Sequence, residues 1–134
     1  MIFEFNPQIY PTRIWVVRGK DTTLEEIDKR FYSISEDDEL LDFNNNECLP
    51  PPTTNAQTFV VGDKESYFRG CLIYLNKTKL RSGVLAHEAS HCVDWLFEKL
   101  QVESGTTFNN GEARAYYLEW ITDRIEDVLK NKVK

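Results

Sequence analysis

All the histidine of this chain lies in one short stretch, 84-VLAHEASHCVDWLFEKL-100, where His87 and His91 stand four residues apart and Glu88 directly follows the first. On an α-helix, residues four apart lie one above the other, with about 5–6 Å between Cβ atoms. Both imidazoles can therefore reach one cation at a Zn–N distance of about 2.0–2.1 Å. Glu88 is turned about 100° further round the helix axis, so it need not ligate and can take a proton from a water on that cation. Two imidazoles holding zinc, with a carboxylate as general base, is the chemistry of an HExxH helix. An amphipathic helix with two solvated or hydrogen-bonded histidines would spell the same five letters. The helical surroundings and the confinement of both histidines to one turn favour the metal.

A catalytic zinc needs a third protein ligand and an open position for water. No histidine remains, and the downstream carboxylates are Asp94, Glu98, Glu103, Glu112, Glu119 and Asp123. Asp94 is three past His91, one turn too far along the axis to complete a tetrahedron. Glu112 follows the loop 103-ESGTTFNNG-111, whose glycines and asparagines suit a chain reversal, and it stands at the expected start of the next helix. An antiparallel second helix would return that first turn toward the histidines, which makes Glu112 the expected third ligand. Tyr116 and Glu119 share its helical face, where packing or solvent exposure is the simpler reason for them. Asp94 is divided between supporting a histidine and lying on the surface. Trp95, Leu96, Phe97 and Trp120 are expected in the core.

These residues need elements to hold them. Residues 13-RIWVV-17 read as a strand, rich in β-branched and aromatic types. In 24-LEEIDKRFYSI-34, Leu24, Ile27, Phe31 and Ile34 keep helical spacing, and Thr22 or Thr23 can cap it. The acidic, Asn-rich and Pro-broken segment 35–57 reads as a long loop. Strands are expected at 58–62 and, after a DKES turn, at 67–76. One long helix follows over about 80–101, with an apolar stripe of Leu85, Ala89, Cys92, Leu96 and Leu100. A last helix spans 112–134, its basic end suited to the helix dipole. The order β-α-β-β-α-α predicts an α+β domain, a small mixed sheet packed on the histidine-bearing helix and the C-terminal helix, with 1–134 as one domain.

Composition narrows the partners. The chain of 134 residues is 41% hydrophobic and 28% charged, a globular mix, with net charge −6. No cluster of lysine and arginine stands out, which argues against nucleic acid and anionic membranes as partners. The opening MIFEFNPQIYPTR lacks a basic, apolar leader pattern, and no apolar run is long enough to span a bilayer. Cys48, Cys71 and Cys92 form no CxxC pair, so neither a disulfide framework nor a cysteine zinc site is expected. Cys71 and Cys92 read as small buried hydrophobes in a reducing, cytoplasmic compartment.

HEASH, followed 21 residues after its second histidine by Glu112 in 104-SGTTFNNGEARAYY-117, resembles the gluzincins, the thermolysin-like HExxH-plus-glutamate metallopeptidases. The resemblance covers about 84–120, and the strand 71-CLIYLN-76 would stand where that family binds extended substrate by its edge. It implies His87, His91 and Glu112 as zinc ligands, Glu88 as catalytic base, and a zincin-like fold. Two features depart from the family. The position one turn after Glu112 is Tyr116 rather than aspartate, and no histidine is left to stabilise the oxyanion. Tyr67, Tyr74, Tyr116, Tyr117 and Arg114 are the substitutes, a role worth roughly 10²–10³ in rate. In its brevity the chain looks more like the small HExxH proteins of phages and bacteria, several of which act on one cognate protein. The expected function is zinc-dependent hydrolysis of a specific protein or peptide. The alternative is a zinc-containing binding module without turnover.

Overall fold

The computed structural model describes residues 1–43, 50–51, 53–100 and 108–133, and for 108–110 the backbone only. The chain is mixed α and β, with six strands in one sheet and three helices among the described residues. It divides into two compact units, Met1–Thr78 and Lys79–Lys134. No helix among the described residues is long and apolar enough to cross a membrane.

The first unit holds the sheet, in the order β1-β2-β6-β5-β3-β4. Strand β1 (Ile2–Phe5) pairs antiparallel with β2 (Arg13–Arg18), and β2 runs parallel to β6 (Arg69–Leu75). Strand β5 (Ala56–Asp63) pairs antiparallel with β6 and with β3 (Phe31–Ile34), which pairs with β4 (Leu40–Asp42). The parallel pair is buried on both faces, as expected of a central parallel pair. One face supplies Trp15, Val17, Leu72 and Tyr74 to a core completed by Ile27, Phe31, Phe43 and Val61. Gly70 is required where β2 and β6 meet, because a Cβ there would lie 2.0 Å from the Arg13 carbonyl oxygen.

Helix α1 spans Leu24–Arg30 and not 24–34. Its start is the expected one: Thr23 accepts the Glu26 N–H while the Glu26 carboxylate accepts the Thr23 N–H, a reciprocal cap. Its end differs because Phe31 turns to extended backbone, φ −128°, and opens β3. The Phe31 ring packs edge-on against Trp15 with centroids 5.0 Å apart. Sheet pairing and that contact override an apolar spacing that local helix preference alone would continue. The expected loop 35–57 contains β4 and the start of β5, while its residues 44–49 and 52, including Cys48, lie outside the described residues.

The turn after β5 is built on Asp63, whose carboxylate accepts from the Glu65 N–H at 3.0 Å and the Ser66 hydroxyl at 2.6 Å. Tyr67, expected to begin the last strand, instead sits in this turn with φ 65° and is highly exposed. Strand β6 was expected to offer its edge to substrate. Both its edges are occupied, by β2 and by β5, so no chain can add there.

The second unit is a pair of helices, α2 (Ser82–Lys99) and α3 (Phe108–Leu129), packed on each other. Helix α2 buries Leu85, Ala89, Cys92, Val93, Leu96 and Phe97, and α3 buries Tyr117, Ile121, Ile125 and Val128. Helix α3 begins four residues earlier than expected, so 108-FNNG-111 is helical rather than loop. Asn and Gly are weak helix formers, so their local preference points to loop where the structure has helix; residues 101–107 lie outside the described residues.

Candidate metal centre

Helix α2 places the two histidines as their spacing demands. Both are exposed, and their Nε2 atoms lie 3.2 Å apart with the rings nearly perpendicular at 87°. Two nitrogens on one tetrahedral zinc, each at about 2.0–2.1 Å, stand roughly 3.3–3.4 Å apart. The pair is therefore already at the separation that one cation imposes. Without a cation, the same distance suits an N–H of one neutral imidazole donating to the other. The Ser90 hydroxyl donates to the His87 carbonyl at 2.7 Å and the Cys92 thiol lies 3.6 Å from the Glu88 carbonyl, both local to this turn.

Glu88 is turned about 100° round the helix from His87, as a one-residue step requires. Its residue is 5% exposed, against a His87 side chain 67% exposed. Its Oε2 nevertheless lies 4.0 Å from His87 Nε2, close enough for one water to touch both groups. A carboxylate kept from bulk solvent beside two exposed imidazoles is a suitable proton acceptor for a water held at the pair.

Glu112 is not brought to the pair. Among the described residues no group of three or more His, Cys, Asp or Glu side chains is close enough to hold a metal. Helix arithmetic shows why. At roughly 100° per residue, Glu112 lies on the stripe of Tyr116, Glu119 and Asp123, all three exposed, opposite the buried stripe of Tyr117, Ile121, Ile125 and Val128. Contacts to α2 hold that rotation: Arg114 forms an ion pair with Asp94, and its guanidinium lies 5.5 Å from the centre of the Phe97 ring. Tyr117 stacks on Phe97 with centroids 6.4 Å apart. Glu112 also stands beyond the first turn of α3, where the helix dipole has faded.

The remaining candidates separate by environment. Asp94 is exposed and engaged with Arg114, so the guanidinium is already committed to a carboxylate. Tyr117 is buried in the aromatic stack, while Tyr116 is exposed. Leu96 and Phe97 are core residues as expected, with Trp95 and Trp120 half-buried. Cys71 and Cys92 are buried thiols, neither in a disulfide. Sequence reasoning did not single out the Arg114–Asp94 contact; the opposite charges were legible, but their meeting depends on how α3 is rotated against α2. No known protein family, curated protein or solved structure matches the chain, so these side chains alone carry the reading of the site.

Proposed function

We propose that the chain is a zinc-dependent hydrolase, a metallopeptidase of zincin-like design acting on a protein or peptide in the cytoplasm. The observation that carries this is the 3.2 Å separation of the His87 and His91 Nε2 atoms, which matches two ligands of one tetrahedral ion. His87 and His91 are the proposed metal ligands, with Glu112 as the third.

Zinc, when bound, would polarise the scissile carbonyl and acidify a water beside it. Glu88 would be the group that takes a proton from such a water and returns it to the departing amine. His87 and His91 contribute lone pairs only, so each must be deprotonated at the ligating nitrogen. The second reading, a zinc-containing binding module without turnover, is favoured by one observation, that among the described residues no third His, Cys, Asp or Glu side chain joins the pair.

Elemental analysis of purified protein tests the proposal. About one zinc per chain is expected, lost in His87→Ala and in His91→Ala. Metal-free wild-type protein after exposure to zinc would overturn both readings, and bound zinc without hydrolysis of any protein substrate would leave the binding module.

A further inference from the structure

Sheet edges, and not the helix pair, carry a second surface. The outermost strand β4 has one edge with no partner among the described residues. All three of its residues are exposed, and Leu40 and Leu41 are 52% and 37% exposed. Successive strand residues point to opposite faces, so the two leucines flank this edge above and below. Such an edge is a template for another extended chain, with backbone hydrogen bonds for affinity and side-chain contacts on each face for selection.

Charge identifies the occupant. Between Arg30 and Lys64 the sequence contains no lysine, arginine or histidine, yet it carries Glu36, Asp37, Asp38, Glu39, Asp42, Glu47 and Asp63. The entire negative excess of the chain arises in that segment. Four of these carboxylates precede β4 in the turn that delivers it, where the Ser35 N–H donates to the Glu39 carbonyl at 2.9 Å and the Glu39 N–H to the Ser35 hydroxyl at 3.1 Å. A fifth, Asp42, lies on β4 itself. The opposite edge of the sheet, β1, lacks this pattern: its Glu4 carboxylate is engaged by Trp15 and Arg30, and Arg18 lies over Phe3.

We infer that β4 receives a lysine- or arginine-bearing extended segment of a partner protein as an added strand, its apolar side chains on Leu40 and Leu41 and its cations at Glu36, Asp37 and Glu39. This does not depend on the metal reading.

A short acetylated peptide of alternating lysine and valine is the probe, titrated into the full chain and followed by amide hydrogen exchange and chemical shifts. Expected are saturable binding, slowed exchange at Leu40–Asp42, and affinity that falls with salt. The triple variant Glu36→Gln, Asp37→Asn, Glu39→Gln should bind about tenfold more weakly, and the same peptide N-methylated at alternate amides should not bind. Equal binding of the N-methylated peptide, or protection elsewhere in the sheet, would overturn strand addition. So would failure of the peptide to bind while the triple variant self-associates, since the carboxylates would then serve to keep edges apart.

Discussion

His87, His91 and Glu88 act on different parts of one reaction, and their variants should separate accordingly. Glu88→Gln keeps the side-chain shape but cannot accept a proton, so zinc content should equal wild type while hydrolysis is lost. Loss of zinc in that variant, read by elemental analysis, would make Glu88 a ligand instead. Glu112→Gln addresses the weakest join between motif and structure. Because Glu112 lies one turn into α3 rather than at its first residues, little dipole stabilisation is at stake, well under about 1 kcal/mol. A ligand role therefore predicts almost unchanged thermal stability without metal and much weaker competition against a zinc chelator. Affinity equal to wild type would remove Glu112 from the ligand set.

The elements show where sequence reading succeeded and why it stopped. Strand β2, helix α2 and the cap of α1 were legible because each is specified locally, by β-branched runs, by an apolar stripe and by Thr23 with Glu26. The histidine pair was legible for the same reason, since spacing on one helix fixes its geometry. Strands β1, β3 and β4 were not, being three or four residues long and defined by their partners. The packing of α3 on α2 was illegible too, because it depends on the rotation that the Arg114, Phe97 and Tyr117 contacts set. Gly111, just before Glu112, offers a handle on that turn. A Cβ there meets nothing within 4 Å, so Gly111→Ala should stabilise the helix by about 0.5–1 kcal/mol. If the first turn must rotate for Glu112 to ligate, the stiffer variant should bind zinc more weakly than wild type, and calorimetry with chelator competition would read both effects. Gly70→Ala is the opposite case. Its Cβ would collide with a backbone carbonyl, and a loss of about 3 kcal/mol or more in urea unfolding is expected.

Across the chain as a whole, charge is segregated, and one ion network ties the sheet unit together across long stretches of sequence. Arg30, at the end of α1, binds Asp63 through Nε at 2.8 Å and Glu4 through Nη2 at 2.9 Å, joining α1 to β1 and to the turn between β5 and β6. The Asp63 side chain is fully buried. Burial pushes its carboxyl up, but hydrogen bonds from Arg30, Ser66 and the Glu65 N–H, with the Arg30 charge, outweigh this and hold it below the usual carboxylate range. A carboxyl that titrates lower when folded contributes stability that is complete above the ordinary carboxylate range and is lost as pH falls through it toward the folded value. Acid should therefore weaken the sheet unit through this residue. Asp63→Asn removes the charge that Arg30 was built around and should cost about 2–4 kcal/mol at neutral pH. The gap between wild type and variant should narrow as pH falls, because protonation brings the wild-type carboxyl to the same neutral state. Urea midpoints for both proteins at neutral and acid pH provide the measurement. A gap that stayed constant would place the acid sensitivity elsewhere and leave Asp63 a neutral packing element of its turn.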